Sequence, residues 1–228
     1  RFWSLRDIAA HGSREPLALT DREAADQLEQ LLNDAVGQRM LADVPLGAFV
    51  SGGIDSSLVV ALMQSQSKRP VKTFTIGFDE QFFNEAVYAK AVARHLGTEH
   101  HELYLSPRDA MDIVPELPAM FNEPFADSSQ IPTYLVSRMT RENVTVALSG
   151  DGGDELMAGY TRYQWADMTS RRFGHLPQSL RQATAAVLSA LPNCVWNGAA
   201  GLLPPAITKG RLADRVGRFC GFLEQPDA

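Results

Sequence analysis

The sequence is short of cysteine, of excess positive charge and of long apolar runs, and each shortage removes a class of protein. Cys194 and Cys220 are the only cysteines in 228 residues. Two thiols make no disulfide framework, and without a Cys-x-x-Cys pair nothing suggests a zinc site. We expect two idle thiols in a reducing cytosol, and so a cytoplasmic location. Lys and Arg number 21 against 27 Asp and Glu, a net charge of −6. An acidic chain is not built to coat nucleic acid or an anionic membrane surface, so neither is expected as a partner. No apolar run approaches the roughly 18 residues that a membrane helix needs, and no secretory signal opens the chain. The first residue is Arg1 rather than Met, and the last four, Gln225-Pro226-Asp227-Ala228, are a polar stub. We expect a piece of a longer polypeptide.

What is present reads as globular. Apolar residues make up 45% and charged residues 21%, which excludes disordered and fibrous classes. The length suits one large domain, or one domain plus part of another. Residues 1–19 are mixed and turn-rich. Thr20 with Glu23 predicts a capping box, and Ala24, Leu28, Leu31, Leu32 and Ala35 follow at helical spacing. Pro45 ends that pattern, and Leu46 to Val50 reads as a buried strand. After Ser51-Gly52-Gly53 a new helical pattern runs through Ile54, Leu58, Ala61 and Leu62. Val71 to Gly77 predicts a second strand. Ala86, Ala89, Val92, Ala93 and Leu96 predict a helix that Gly97 ends. Glu102 to Leu105 is a third strand, and Ser106-Pro107 opens a helix. Ile131, Leu135 and Met139 mark another helix, and Val144 to Leu148 a fourth strand. From about residue 165 only helical patterns appear, over Leu176–Leu191 and Leu212–Leu223, around a Pro/Gly/Asn-rich stretch. Alternation of this kind predicts an α/β fold, a parallel sheet with helices on both faces, followed by a helical region. In such sheets ligands bind outside the carboxyl ends of the strands. Both glycine-rich segments of this sequence lie there.

The first is Ser51-Gly52-Gly53-Ile54-Asp55-Ser56-Ser57 at a strand-to-helix turn. The glycines are expected to let a ligand approach the main chain, so that Gly52→Val would block it while leaving folding nearly intact. The helix behind begins with free N–H groups and a partial positive charge, which suits phosphate. Ser51, Ser56 and Ser57 add hydroxyls. Asp55 would repel phosphate unless a bridging Mg2+ intervened, a hard cation that takes carboxylate and phosphate oxygens. The segment is not a Walker A loop, which ends Gly-Lys-Ser/Thr. The second is Ser149-Gly150-Asp151-Gly152-Gly153-Asp154-Glu155, an anionic turn suited to holding a cation against the same phosphates. It does not fit a calcium-binding helix-loop-helix pattern, and a single copy is no calcium repeat. A plain glycine turn could explain either Gly-Gly pair alone, but not both segments in these places.

The Ser-Gly-Gly-x-Asp-Ser-Ser segment resembles the pyrophosphate loop of the N-type ATP pyrophosphatases (the PP-loop superfamily, adenine nucleotide alpha hydrolase-like in fold). Within that group the chain looks like the synthetase domain of glutamine-dependent asparagine synthetases. Phe49 to Ser57, Phe74 to Phe78, Leu96 to His101, Glu123-Pro124-Phe125-Ala126-Asp127 and Leu148 to Tyr160 carry the resemblance, in order. It implies that ATP lies across the strand ends with its triphosphate on Ser51, Gly52, Gly53, Asp55, Ser56 and Ser57. It implies contacts of Leu46, Ile76, Ser149 and Gly150 with the adenosine part, and Mg2+ on Asp55 and Asp154. A substrate carboxylate, aspartate in the family, would attack the α-phosphorus to give an acyl-adenylate and pyrophosphate. Ammonia from a glutaminase domain of the parent chain would then displace AMP. Asp55, Asp151 and Asp154 are the candidate catalytic residues. Asp151 stands where many members have Glu, and it could orient substrate or take a proton from ammonia. The resemblance divides the chain into a linker at 1–19, a synthetase domain at 20–165 and a partial helical subdomain at 166–228, and it is compatible with a homodimer. The family's glutaminase and C-terminal lysine have no counterpart here, since Lys209 sits in an unmatched context. The chain alone is therefore expected to form little amide. The same adenylating chemistry on another acceptor (β-lactam or peptide cyclisation, cell-surface amidation) and a nucleotide-binding module without turnover are the other readings.

Other residues have plainer explanations. His100 and His101 are adjacent on a strand, face opposite ways and cannot chelate one ion. Asn84, Glu85, Glu123, Asp127 and Ser128 are as readily helix caps as ligands. Arg171, Arg172, Arg211, Arg215 and Arg218 read as solvated helix faces, and Trp3, Trp165 and Trp196 as packing anchors.

Overall fold

The computed structural model describes residues 3–78, 84–121, 123, 127, 129–192, 194–196 and 212–224. Pro124, Phe125, Ala126, Ser128, Lys209 and Arg211 from the sequence reading lie outside the described residues, as do Arg1, Phe2, the 225–228 stub and most of the Pro/Gly/Asn-rich stretch. The chain divides into two compact units, Arg1–Asp151 and Gly152–Ala228.

The first unit holds α1 (Leu5–Arg14), α2 (Asp21–Arg39), β1 (Leu46–Phe49), α3 (Ile54–Gln66), β2 (Lys72–Phe78), α4 (Ala86–Leu96), β3 (Glu99–Leu105), α5 (Pro107–Ile113), a 3-10 turn (Val114–Glu116), α6 (Leu117–Met120), α7 (Gln130–Arg141) and β4 (Val146–Leu148). The strands form one sheet in the order β3-β2-β1-β4. Every neighbouring pair is parallel, with Ala48 opposite Thr73 and Leu148, and Phe74 opposite His101. The expected parallel sheet is therefore present.

Strand alternation assigns the helices to the two faces. Phe74, Ile76 and Phe78 point one way, and Ile76 and Phe78, with Leu103 and Leu105, meet Ile113, Leu117, Met120, Ile131 and Leu135 of α5–α7. Thr73, Thr75 and Gly77 point the other way, in line with Ala48 and Val50. There Ala48 and Val50 pack with Val36 of α2, Val60, Leu62 and Met63 of α3, and Ala89 of α4. Phe74 is fully buried. Gly77 lies against Ala86 and the Tyr104 ring, with no room for a side chain.

Local signals explain most boundaries. Thr20 and Glu23 form the full capping box at the start of α2, with the Thr20 N–H donating to Glu23 Oε2 at 2.8 Å. Gly97 ends α4 in the left-handed region, φ 70°, and the Thr98 N–H donates to the Ala93 carbonyl at 3.1 Å. Ser106 caps α5 through Asp109 in a second capping box.

Three features differ from expectation. The turn-rich start contains a helix, α1, capped by Ser4, whose Oγ accepts from the Asp7 N–H at 3.4 Å. No residue of α1 is buried; Leu5, Ile8 and Ala9 stand at helical spacing, a short apolar stripe that the sequence reading passed over, and Leu5 and Ile8 remain exposed. β3 begins at Glu99 instead of Glu102, because polar cross-strand contacts extend it: Thr73 Oγ1 meets His100 Nδ1 at 2.9 Å, and Lys72 pairs with Glu99 at 3.7 Å. β4 begins at Val146 instead of Val144, because the Val144 N–H still donates to the Thr140 carbonyl of α7.

The second unit is helical among its described residues: α8 (Gly153–Met157), α9 (Thr161–Phe173), α10 (Gln178–Ala190) and α11 (Leu212–Glu224). Its core joins Ala185, Cys220 and Leu223 with Phe173, Leu188, Val216 and Phe219. The rings of Phe173 and Phe219 meet edge to face at 5.6 Å. No described helix in either unit is long and apolar enough to cross a membrane.

Candidate functional site at the carboxyl edge of the sheet

The strand order places a topological switch between β1 and β4. From β1 the chain moves outward to β2 and β3, then returns to the other side of β1. A crevice opens at such a point, outside the strand ends. The segment from Ser51 leaves β1 there, and the segment from Ser149 leaves β4. The two touch: a side chain on Gly150 would lie 2.6 Å from the Ser56 nitrogen and 2.9 Å from the Asp55 carbonyl carbon. Gly150 is glycine because the second loop rests on the first turn of α3.

The first loop is held by its own serines. The Ser51 N–H donates to Ser56 Oγ at 3.1 Å, the two hydroxyls meet at 3.0 Å, and the Gly53 N–H donates to Ser51 Oγ at 3.2 Å. Ser56 also donates to the Gly53 carbonyl at 3.4 Å and is 8% exposed. Ser51 and Ser56 therefore spend their hydroxyls inside the loop. Gly53 is the N-cap of α3 and supplies no side-chain cap, so the first-turn N–H groups stand at a positive helix end with no capping oxygen. Asp55 is half-buried in that turn. The Ser57 hydroxyl is buried and has no partner among the described residues. An orphaned donor beside an uncapped helix end suits an anionic guest.

The two glycines of this loop do different work, which corrects the expectation for Gly52. Gly52 has φ 82°, and a side chain there would lie 2.5 Å from Tyr88 Cβ and 2.7 Å from the Ala89 nitrogen. It is glycine because α4 packs on it, so Gly52→Val would damage the fold itself. Gly53 is exposed, and a side chain there would meet only Ser51 Oγ, at 3.3 Å. The open main chain is at Gly53.

In the second loop Ser149 Oγ donates to Asp151 Oδ2 at 3.0 Å, and Asp151 itself is exposed. Ile76 lies in the carboxyl-terminal half of β2, partly buried against the α5–α7 side. Leu46 is not brought to the loops. It opens β1 at the opposite end of the strand and packs into the core beside Ala48 and Val50.

Asp154 belongs to the second unit, in the first turn of α8. Its carboxylate fills the space where a side chain on Gly159 would go, and its carbonyl accepts from the Gly159 N–H at 3.0 Å. Beside it the Tyr160 phenol donates to Glu155 at 2.6 Å, and the Arg162 guanidinium lies 4.2 Å from the Tyr160 ring centre. The bond to Glu155 pushes the phenol up to about 12. Sequence reasoning missed this cluster. Its only signal was an acid and an aromatic five residues apart.

The histidine pair behaves as strand geometry requires. His101 stacks on Phe74 at 5.1 Å, while His100 faces α4. Burial pushes His100 below its ordinary value, and its Nε2 is buried without a partner among the described residues. On the same face Glu102 accepts from Lys90 at 2.9 Å and from the Tyr104 phenol at 2.8 Å. Burial would raise the Glu102 carboxyl, but these two bonds outweigh it and hold the group lowered.

No group of three or more His, Cys, Asp and Glu that could hold a metal ion occurs among the described residues. The donors near the loops are single carboxylates with hard oxygens. They fit a cation that shares its coordination with a ligand's phosphates, as Mg2+ commonly does.

Comparison with known proteins sets this site in context. The sequence matches the asparagine synthase family over residues 27–228. It is 35% identical over 178 residues to asparagine synthetase [glutamine-hydrolyzing] 1 of Bacillus subtilis, covering 78% of this chain and 28% of that protein. It is 44% identical over 160 residues to a putative asparagine synthetase [glutamine-hydrolyzing] 2 of Methanocaldococcus jannaschii, covering 70% of this chain and 30% of that one. The chain thus spans less than a third of the length of these curated relatives. Among solved structures, the NH3-dependent NAD synthetase from Campylobacter jejuni aligns with a TM-score of 0.42 at 12% identity, covering 89% of this chain and 96% of that one, a likeness too distant to bear on function. The family match begins within α2, takes in both loops and continues to the last residue, and the chain accordingly belongs to the asparagine synthase family.

Proposed function

We propose that this chain is the nucleotide-binding part of an ATP-dependent, amide-forming ligase. The observation that carries the reading is the meeting of two Ser/Gly/Asp loops at the switch point of a parallel sheet, against an uncapped helix N-terminus. A polyphosphate is the guest such a place favours.

In this reading the main chain at Gly53, the first-turn N–H groups of α3 and the Ser57 hydroxyl receive the triphosphate. Ser51, Gly52 and Ser56 hold the loop in shape. Ile76, Ser149 and Gly150 border the adenosine part. Asp55 and Asp154 are the carboxylates assigned to Mg2+, which when bound supplies positive charge against the phosphates. The substrate carboxylate attacks the α-phosphorus, pyrophosphate leaves, and ammonia displaces AMP from the acyl-adenylate. Asp151, exposed on the second loop, is assigned to orienting the substrate or taking the proton that ammonia loses. Because the curated relatives are named as glutamine-hydrolysing asparagine synthetases, aspartate is the proposed acceptor, and glutamine, through a glutaminase domain of a longer parent, the nitrogen source. Residues 20–165 form the proposed synthetase domain, with 1–19 as linker and 166–228 as a helical subdomain.

The chain covers a minor part of its relatives, so nucleotide binding is the property to test in it. Titration calorimetry with ATP and Mg2+ is expected to show binding that weakens in Asp55→Ala and Asp154→Ala. Wild-type affinity in both variants would remove their metal role, and no binding by the unaltered chain would overturn the reading. Little or no asparagine is expected from this chain with aspartate, ammonia and ATP.

A further inference from the structure

The first loop has a neighbour that the sequence reading passed over. Gly52 packs on the backbone of α4 at Tyr88: a side chain on Gly52 would lie 2.5 Å from Tyr88 Cβ and 2.7 Å from the Tyr88 carbonyl carbon. The Tyr88 main chain is fixed in turn, its N–H donating to the Glu85 carbonyl at 3.0 Å. The Cα of Tyr88 is therefore tied to the loop. Its side chain is not consumed by packing, since Tyr88 is 67% exposed. Among the described residues its phenol makes no hydrogen bond. A large aromatic residue held at its base and open at its tip, beside a left-handed turn of φ 82° at Gly52, needs a reason that core packing does not supply.

The direction of the ring follows from the fold. β2 and β3 are parallel, so α4 between them runs back from the carboxyl edge of the sheet and starts at that edge. Side chains on a helix lean toward its N-terminus. Tyr88, in the first turn of α4, thus leans toward the edge where both loops lie. It does so on the α3–α4 face, whereas Ile76 points to the α5–α7 face. The residue beside Tyr88 is Gly52 of the loop that leads into the positive end of α3, and not the Ile76 side where the adenosine part is assigned.

We propose that Tyr88 is a further ligand-contacting residue of this site, its phenol O–H donating to a phosphate oxygen at the pyrophosphate end of bound ATP. This rests on the nucleotide-binding reading above. It makes α4 a third contributor to the phosphate cradle, with a group that discriminates the polyphosphate end of the ligand from the nucleoside end.

The test is titration of this chain with three probes in the presence of Mg2+, namely ATP, inorganic pyrophosphate and AMP, in the unaltered protein and in Tyr88→Phe. The substitution keeps the ring and the Cβ and main-chain contact with Gly52 and removes only the hydroxyl. The expected result is an affinity for ATP and for pyrophosphate lowered about three- to tenfold, the range of one net hydrogen bond, with AMP affinity unchanged. Unchanged ATP and pyrophosphate affinity in Tyr88→Phe overturns the proposal and leaves the nucleotide-binding reading standing. So does a loss of AMP affinity in Tyr88→Ala that Tyr88→Phe does not share, because that pattern belongs to a ring stacked on the base. If the unaltered chain binds none of the three probes, the underlying reading falls and this contact falls with it.

Discussion

Single atoms decide what each glycine of the site is for. Gly52 and Gly53 are adjacent and identical in sequence terms, yet one is pressed on α4 and the other faces solvent. Gly52→Ala combines a strained left-handed position with a backbone clash, and should lower stability by about 1–2 kcal/mol or more. Gly53→Ala should leave the urea midpoint near that of the parent but weaken ATP binding. Equal effects of the two changes on stability would contradict this division. The heptapeptide pointed to the place, but nothing in it could tell a packing glycine from a binding one, because the distinction lies in α4, more than thirty positions on. The same holds for Ser51 and Ser56, whose hydroxyls proved to bond each other.

A second residue-scale consequence concerns pH. Burial holds His100 below its ordinary value, so the unfolded chain takes up a proton first as the pH falls through the ordinary histidine range, about 6.5. The unfolded state then binds more protons than the folded one, and stability drops on the acid side. The chain holds five histidines, so the informative quantity is a difference. The fall in urea midpoint between pH 7.5 and pH 5.5 should be smaller in His100→Gln than in the parent, and an equal fall would exclude His100 as a source of the pH dependence.

Among the elements, the legible ones were those whose ends carry chemistry of their own. The Thr20–Glu23 box, the Gly97 stop and the Ser106-Pro107 start could be read because each satisfies backbone groups locally, with no help from distant residues. Gly97→Ala places a Cβ in the left-handed region and should cost about 1 kcal/mol, read as a lower thermal midpoint, although no atom crowds that position. The less legible elements draw their stability from contacts that hydropathy does not record. The first half of β3 is Glu-His-His-Glu, polar in every position, and it is a strand because Thr73, Lys72 and Phe74 of β2 each have a partner in it. α1 buries nothing, and its marks are the Ser4 cap and the short Leu5, Ile8, Ala9 spacing inside a polar segment. Leu46 opens β1, at the end of the strand away from the loops, and a resemblance assigns a position along the chain and not the end of the strand at which it falls.

At the level of the whole chain, a nucleotide held by the edge of the sheet couples binding to folding of the unit Arg1–Asp151. A ligand at one hundred times its dissociation constant stabilises the folded form by about 2.7 kcal/mol. ATP with Mg2+ should therefore raise the thermal midpoint reported from this unit, and AMP or pyrophosphate alone should raise it less. A midpoint indifferent to nucleotide at saturating concentration would argue against a site in this unit. The parallel α/β class was legible from alternation alone. The strand order was not, because no local signal says on which side of β1 the fourth strand returns.

That return has a consequence for how the protein is made. Gly47 takes Ala147 as its strand partner, so the two halves of the crevice are synthesised far apart in time. While the ribosome adds the intervening helices, the Ser51 segment waits with one flank uncovered, and the crevice closes only when β4 emerges and docks. Pairing across so long a stretch is a slow event in folding. A nascent chain halted before Val146 would own the first loop in full and still lack the ledge at Gly150 on which that loop leans.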